Sequence, residues 1–230
     1  YWKDIRLKWH QALGIPEEFY RLHEHDKLAH YATAAFDIEF KYPIGFKELE
    51  GIHSRTDYDL SAHERFTNKK LQYFDPELDK SYIPYVVETS IGLDRMFLSI
   101  LAYAFQEEKL EDGSTRTLLK IPSVLAPIKV AILPLVKKDG MDKKAMEIFN
   151  DLRFHFNCQY DEKDSIGRRY RRQDAIGTPY AITIDGQTMK DDTVTLRYRD
   201  SMEQRRVSVP ELVAELQKEL DMTKLFKQLL

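Results

Sequence analysis

The stretch that most constrains the fold is residues 128–136, an almost uninterrupted apolar run. A strand that is buried on both faces of a parallel sheet has this composition, because helices cover the sheet on each side. The elements predicted around it are helices at 141–156, 210–220 and 223–230 and strands at 158–160, 180–184 and 193–198. Strands that alternate with helices predict an α/β domain, which we place at residues 119–230.

The first 118 residues follow a different pattern. Apolar residues recur every three or four positions over residues 1–13, which predicts an amphipathic helix. Alternation over residues 34–40 and 45–52 predicts two strands joined by a turn. The polar segments are predicted as a helix at 17–30, a loop at 53–63 and irregular structure at 66–80. On the second strand, four alternate residues are expected to share one face: Phe46, Glu48, Glu50 and Ile52.

Residues 84–108 combine strand and helix signals around a glycine. The segment begins as a β-branched run, breaks at a polar triplet and Gly92, and continues to about residue 108 with apolar residues at helical spacing. A glycine lets a ligand approach the backbone closely, and Arg95 near the helix start can pair in a fork with phosphate oxygens. The segment is therefore a candidate ligand site.

Four residues form the first candidate constellation: Glu48, Glu88, Ser90 and Arg95. Carboxylates on two strands can hold a divalent ion or an amino group, and an arginine at a helix start can bind a triphosphate. Each residue also has an ordinary structural explanation. Arg95 would then form a surface ion pair, Ser90 would cap a helix, and Glu88 would be a solvated strand end.

The second constellation contains four arginines within five positions, together with a tyrosine: Arg168, Arg169, Tyr170, Arg171 and Arg172. Flanking glycines indicate a shaped loop over residues 167–180. Arginines interleaved with an aromatic residue suit phosphate contact and base stacking, whereas a solvated charged face is the alternative. Because the net charge of −3 gives no global attraction to nucleic acid, RNA binding would depend on this patch.

Composition narrows the class of protein further. A hydrophobic fraction of 43% over 230 residues supports a sizeable core. The single cysteine, Cys158, excludes an internal disulfide and fits a reducing cytoplasmic compartment. No apolar run reaches the length of a membrane span, so we expect no membrane partner.

Three blocks of the sequence together resemble the glycyl-tRNA synthetases, which are dimeric class II aminoacyl-tRNA synthetases. Residues 45–60 are similar to the family's ATP-contacting strand and loop, and residues 88–95 to class II motif 3 in its glycine-specific form. Residues 167–180 are similar to the core of the class IIa anticodon-binding domain. The resemblance implies an α/β (α+β) fold: part of the antiparallel-sheet catalytic domain at 1–118, then an anticodon-binding domain with a mixed sheet at 119–230.

The resemblance also implies a function and a role for each candidate residue. The family uses ATP to form glycyl-adenylate and transfers glycine to tRNA(Gly), as a cytoplasmic homodimer. ATP contacts would come from Glu48, Leu49, Gly92, Leu93, Asp94 and Arg95, of which Glu48 and Arg95 would be catalytic and Glu48 would help to coordinate Mg²⁺. Glycine contacts would come from Glu88, Thr89, Ser90, Ile91 and Gly92. Contacts with tRNA would come from Arg168, Arg169, Arg171 and Arg172.

Two family motifs have no match in this sequence: motif 1, which builds the dimer interface, and motif 2, whose arginine holds the α-phosphate. We therefore expect the chain, which starts at Tyr1, to be a fragment that is inactive alone. Two alternatives stay open: a non-catalytic tRNA-binding or accessory protein with a synthetase-like fold, and a synthetase for proline, threonine or histidine. The ATP-binding residues argue against the first, and the Glu88-Thr89-Ser90 triplet argues against the second.

Overall fold

A computed structural model of the chain describes residues 1–227 and 229, with all their side chains except those of Lys224 and Leu225. The chain forms two compact units, of which the first spans Tyr1–Ser99 and the second begins at Ile100. The sequence-based boundary between residues 118 and 119 separates a predicted catalytic part from a predicted anticodon-binding domain. This division by function stays a prediction. Across the described ranges, every helix is too short or too polar to cross a bilayer.

The first unit contains a helix, a 3₁₀ turn and a series of strands. Its elements are α1 (Trp2–Ala12), the 3₁₀ turn (Glu17–Phe19), β1 (Tyr20–Glu24), β2 (Ala34–Tyr42), β3 (Gly45–Thr56), α2 (Tyr58–Thr67), β4 (Tyr73–Asp75), β5 (Lys80–Tyr82), β6 (Val86–Ile91) and the start of α3 (Leu93–Ala104). The predicted helix over residues 1–13 and the strand-to-helix succession after residue 84 are confirmed.

Four strands of the first unit form an antiparallel sheet in the order β1-β2-β3-β6. Ile38 and Phe40 on β2 are fully buried, and Ile52 on β3 is nearly so. Alternation along β2 and β3 thus turns one face of the sheet toward the core, as the sequence predicts. The antiparallel sheet expected for this part of the chain is confirmed.

A β-bulge changes which side chains share a face of β3. Ile38 pairs with Glu50, but the next residue, Glu39, pairs with Glu48, so Leu49 is an extra residue on β3. An extra residue reverses the alternation of side chains beyond it. Glu50 is fully buried, whereas the side chain of Glu48 is 53% exposed. The expectation that Glu48 and Glu50 share a face is therefore wrong, because simple alternation does not reveal a bulge.

Three predictions for polar segments of the first unit are also wrong. Residues 17–30, predicted as a helix, contain the 3₁₀ turn and β1, because pairing with β2 satisfies the backbone of this segment. Residues 53–63, predicted as a loop, complete β3 and form most of α2. Asp59 in the first turn of α2 interacts favourably with the helix dipole. Residues 66–80, predicted as irregular, include β4 and the start of β5, which pair as a hairpin.

The second unit follows α3 with a hairpin and then alternates strands and helices. Its elements are β7 (Phe105–Lys109), β8 (Thr115–Leu119), β9 (Val130–Pro134), α4 (Met141–Leu152), β10 (Cys158–Tyr160), α5 (Ile166–Ile176), β11 (Tyr180–Ile184), α6 (Thr188–Asp191), β12 (Thr193–Tyr198), β13 (Gln204–Ser208), a 3₁₀ turn (Val209–Glu211), α7 (Leu212–Leu220) and α8 (Met222–Lys227). Residues 228 and 230 of the predicted C-terminal helix lie outside the described residues.

A five-stranded sheet in the order β10-β9-β11-β12-β13 forms the centre of the second unit. β9 pairs in parallel with β10 and β11, whereas β12 is antiparallel to both of its neighbours. Every residue of β9 and β11 is buried, as the apolar run over 128–136 predicts. The mixed sheet and the α/β class expected for this unit are confirmed.

Three expectations for the second unit are wrong. The helix predicted to continue to about residue 108 ends at Ala104, and the hairpin strand β7 follows directly. The strand β13 was absent from the predicted elements. Residues 167–180, predicted as a shaped loop, largely form α5. The glycine at its end, Gly177, has φ +85° and terminates the helix, and a Cβ there would lie 3.0 Å from the carbonyl oxygen of Leu119.

Candidate functional site

The residues predicted to contact ATP meet where β6 gives way to α3. β6 ends at Ile91, Gly92 follows it, and α3 begins at Leu93. An open cleft of about 530 Å³ lies here beside β3. It is lined by Glu48, Leu49, Ser90, Gly92, Leu93, Asp94 and Arg95. The structure thus brings all six residues predicted to contact ATP to one place, although contact with ATP itself stays a prediction.

Arg95 and Glu48 form a loose pair at the edge of this cleft. Arg95 Nη1 donates a hydrogen bond to the backbone oxygen of Glu48 at 2.7 Å and lies 3.4 Å from its carboxylate. Both side chains are more than half exposed, so water screens their attraction. Tyr42 supports the position of Arg95, because its hydroxyl donates to the Arg95 backbone oxygen at 3.2 Å. Little free energy would therefore be lost if the guanidinium left Glu48 to bind a phosphate group.

Gly92 lines the cleft at a place where the folded chain has room for a methyl group. A Cβ built at this position would meet only the side chain of Arg95, at 3.8 Å, which is an ordinary contact. Neither a left-handed backbone nor a tight protein contact requires glycine here. The missing side chain thus keeps room for something outside the folded chain, as expected of a position against a ligand.

The predicted glycine-contacting residues alternate between the two faces of β6. Ser90 lies opposite Gly51 and Glu88 opposite His53, on the face away from the buried core. Thr89 pairs with Ile52, which places Thr89 and Ile91 on the opposite face. Ser90 and Gly92 line the cleft, and Glu88 lies one position further along the same face as Ser90.

An arginine clamp orients Glu88. Arg55 Nη1 donates to Glu88 Oε2 at 2.6 Å, and two further nitrogens of Arg55 pair with the Asp59 carboxylate at 2.6 and 3.0 Å. The guanidinium also lies 4.1 Å from the ring centre of Tyr31. Hydrogen bonds with Asp59 and Glu88 raise the pKa of Arg55, and the bond from Arg55 lowers the pKa of Asp59. The clamp therefore stays charged at neutral pH.

Sequence reasoning missed this clamp, although it placed Arg55 and Asp59 in the ATP-contacting block. The two residues are four positions apart, but the strand-to-helix change between β3 and α2 lies between them. Only the folded chain shows that Arg55 reaches back to Glu88 on the neighbouring strand. The available signal was an arginine and an aspartate four positions apart in a segment predicted as a loop.

Glu50 is a buried anchor for α1 and not part of the cleft. Its carboxylate accepts hydrogen bonds from Arg6 and pairs with His10 at 2.8 Å, and both partners lie on α1. Burial pushes the pKa of Glu50 upward, but the hydrogen bonds with His10 and Arg6 outweigh it and lower the pKa overall. The interaction ties α1 to β3 beneath the candidate site.

The arginine-rich segment forms α5, and its four arginines have different environments. Arg168 is 76% exposed, and Arg171 is exposed as well. Arg172 is partly held by Asp161 and Asp164, each at 2.7 Å. Arg169 is 2% exposed, and its guanidinium donates to the backbone oxygens of three residues: Pro134, Leu135 and Asp161. Burial lowers the pKa of Arg169.

Beside α5 lies an open groove of about 610 Å³. Its lining residues come from α5, β12, the turn after β12 and the start of β13: Gly167, Arg168, Tyr170, Arg171, Arg172, Arg197, Met202 and Gln204. Three of the four arginines predicted to contact tRNA line this groove, and the buried Arg169 supports α5 from below. The groove therefore combines positive charge with an aromatic ring, two features that are typical of binding sites for single-stranded nucleic acid.

The described residues contain no group of three or more histidine, cysteine, aspartate or glutamate side chains positioned to hold a metal ion. Glu48, predicted to help coordinate Mg²⁺, contributes one exposed carboxylate to the cleft. Magnesium is often bound by one or two carboxylates together with substrate phosphates. Glu48 fits that kind of site, in which ATP supplies the remaining oxygens.

Comparisons with known proteins identify relatives for both units. The family model "Anticodon binding domain" matches residues 129–219. A glycine–tRNA ligase of Chlorobaculum tepidum is 48% identical over 209 residues, which cover 90% of this chain and 44% of the relative. A glycine–tRNA ligase of Clostridium kluyveri is 50% identical over 214 residues, 92% of this chain and 46% of the relative. The chain spans about half the length of the curated relatives it matches.

A solved structure shows the same fold. A prolyl-tRNA synthetase of Giardia lamblia, in complex with prolyl-adenylate, superimposes with a TM-score of 0.64 and 17% sequence identity. The match covers the whole of this chain and 47% of that one. This likeness shows that the two chains share a fold, and it carries no information about the amino acid used.

Proposed function

This chain belongs to the glycine–tRNA ligase family, and on that premise we propose that it supplies one wall of an ATP and glycine site together with a tRNA-binding unit. The reaction would be the ATP-dependent charging of tRNA(Gly) with glycine by the whole protein. The observation that carries the proposal is the cleft in which Glu48, Gly92 and Arg95 meet beside Ser90.

In the first step, the glycine carboxylate would attack the α-phosphate of ATP and release pyrophosphate. This reaction depends more on alignment and charge neutralisation than on a proton-transfer residue. Arg95 would bind the terminal phosphates, for which its loose pairing with Glu48 leaves it available. Glu48 would contribute to holding a magnesium ion that arrives with ATP and neutralises phosphate charge.

Selection of glycine would depend on Glu88, Ser90 and Gly92. Arg55 occupies one carboxylate oxygen of Glu88, and none of the described side chains forms a hydrogen bond with the other oxygen, Oε1. Oε1 could therefore accept from the substrate ammonium. Because glycine has no side chain, larger amino acids would be rejected by steric clash.

In the second step, a terminal ribose hydroxyl of tRNA would take the glycyl group from the adenylate. The groove beside α5 would bind the tRNA elsewhere, through the exposed Arg168 and Arg171 and the partly exposed Arg172. For Arg169 we propose an indirect role, in which it positions α5 through backbone hydrogen bonds. The whole protein would act as a homodimer in the cytoplasm.

Glycine-dependent exchange of pyrophosphate into ATP tests this function in the whole protein. Arg95→Ala should lower the exchange rate at least about 10²-fold, because an electrostatic clamp on the phosphates is lost. Arg65→Ala, at an exposed arginine of α2, is the matched control and should leave the rate unchanged. Unaltered exchange in Arg95→Ala would contradict the assigned role. A whole protein that binds tRNA without any exchange would support the accessory alternative.

A further inference from the structure

The groove of the second unit contains a preformed pair of flat side chains. The Arg197 guanidinium lies 4.6 Å from the ring centre of Tyr170, and both residues line the groove. The Tyr170 hydroxyl is hydrogen-bonded to Thr183 Oγ1 at 2.6 Å, which holds the ring in place. A rigid aromatic ring backed by a guanidinium offers a stacking surface for an unpaired base.

Asp174 fixes the orientation of Arg197. Its carboxylate is 1% exposed and accepts two hydrogen bonds from Arg197, at 2.8 and 3.0 Å. A bidentate pair holds a guanidinium in one plane. Since both terminal nitrogens of Arg197 are engaged, this residue lacks a free forked edge for reading a base. Its side chain is only 6% exposed, so Arg197 acts by backing the Tyr170 ring.

A second buried arginine connects Asp174 to the β7–β8 hairpin. Arg116 on β8 lies 3.3 Å from the Asp174 carboxylate and donates to the backbone oxygen of Arg199 at 2.8 Å. Its other nitrogens pair with Glu108 on β7. Asp174 is thus the shared acceptor of two buried arginines, one from the hairpin and one from the groove.

The rim of the groove carries charge suited to a nucleic acid backbone. Arg168 and Arg171 project from α5 beside the Tyr170–Arg197 pair and are exposed. Exposed arginines give affinity that depends on salt, whereas stacking surfaces give affinity that depends on the presence of a base. The two contributions are therefore separable by experiment.

We propose that the Tyr170–Arg197 pair is a stacking platform for an unpaired base of RNA, and that Asp174, braced by Arg116, is the positioning residue that holds the platform together. The proposal rests on the proposed binding of tRNA by this unit, which it deepens by assigning distinct tasks to the platform and the rim. Arg168 and Arg171 would hold the phosphates on either side of the base.

The test measures binding of the full chain to two synthetic RNA hairpins by fluorescence anisotropy over a range of salt concentrations. One hairpin has the anticodon stem and loop of tRNA(Gly), and the other has abasic sites in place of the anticodon nucleotides. The unsubstituted chain should bind the first hairpin about fivefold or more tightly than the second, since a stacked base adds that much affinity.

Two substitutions at Tyr170 address the platform itself. Tyr170→Leu should bring the ratio of the two affinities close to one, whereas Tyr170→Phe keeps the ring and should keep the ratio. The double variant Arg168→Ala, Arg171→Ala should weaken binding of both hairpins and flatten the salt dependence. It should leave the ratio unchanged.

Asp174→Asn tests the positioning role, with Asp151→Asn on an exposed part of α4 as its control. Asp174→Asn should lower the ratio while the salt dependence stays the same. If thermal unfolding shows that this variant does not fold, Arg197→Lys replaces it, because lysine can still pair with Asp174 but has no planar face. The same loss of ratio is then expected.

An unchanged ratio in Tyr170→Leu, or in the folded Asp174→Asn or its replacement, would overturn the inference. A native chain that binds both hairpins equally would overturn it too, while leaving tRNA binding intact. A native chain that binds neither hairpin would overturn the proposed function of this unit and the inference with it.

Discussion

The residues in and around the cleft differ in how far the fold alone explains their identity and their contacts. Gly92 has neither a left-handed backbone nor a tight protein contact, so neither of these features requires a glycine at this position. Arg95 is held loosely and Arg55 tightly, in keeping with a phosphate-binding role for the first and a supporting role for the second. The environment of Gly92 leads to a prediction for its replacement.

Gly92→Ala should impair binding without affecting folding. The new methyl group would meet Arg95 at an ordinary 3.8 Å, so the free energy of unfolding should change by less than about 1 kcal/mol. In the whole protein, the KM for ATP or glycine should rise by about tenfold or more because the methyl fills ligand space. Urea unfolding and exchange kinetics measure the two effects. An unchanged KM for both substrates would remove Gly92 from the site.

Cys158 should react slowly with alkylating reagents in the folded chain. Burial raises the pKa of its thiol to about 11. At pH 8 the thiolate fraction is then on the order of 10²-fold below that of a free cysteine, and only the thiolate is reactive. Labelling by iodoacetamide, followed by mass spectrometry, should be slow in buffer and fast in urea. Equal rates in the two conditions would contradict the burial of this thiol.

Elements are positioned by interactions that periodicity does not reveal. Alternation predicts β2 and β3, and helical spacing predicts α1, because each buries one face of a regular element. The bulge opposite Glu39 follows no such pattern, and it decides that Glu48 enters the cleft while Glu50 anchors α1. Similarly, α5 has few apolar residues, so its helical structure depends on packing of Tyr170 and buried Arg169 against the sheet.

The anchor between α1 and β3 leads to a prediction about stability. Glu50→Gln should lower the free energy of unfolding of the first unit by about 3 kcal/mol at pH 7, because it removes the charge shared by Arg6 and His10. Trp2 and Trp9 both lie on α1, so tryptophan fluorescence in urea reports on this unit. Glu18→Gln, at an exposed glutamate, is the matched control.

The effect of this substitution should depend on pH. The folded-state pKa of Glu50 lies below its ordinary value of 4.5, so the unfolded chain binds its proton first. The stability that Glu50 provides is thus complete above pH 4.5 and is lost as the pH falls through the lowered pKa. The difference in the free energy of unfolding between the native chain and Glu50→Gln should therefore shrink over that pH range. If this difference in free energy stayed constant down to pH 3, the proposed role of ionised Glu50 in anchoring α1 would be wrong.

At the scale of the whole molecule, the sequence predicts the two fold classes better than it predicts the site. The apolar run at residues 128–136 and the alternating strands are set by burial, which local patterns record. Other features depend on residues that are far apart in sequence, and no local pattern records them. These features are the order of strands, the contact of Arg55 with Glu88, and the pairing of Asp174 with Arg116 and Arg197. The residue types of the cleft also have ordinary structural explanations, and only the family resemblance predicted that they contact ATP and glycine.

Charging of total tRNA by the whole protein with a panel of labelled amino acids is the sharpest test of the proposed function. The panel contains glycine, alanine, proline, threonine and histidine. We expect ATP-dependent charging with glycine alone, and only of tRNA(Gly). Charging with alanine, proline, threonine or histidine, or no charging with glycine, would contradict the proposed function.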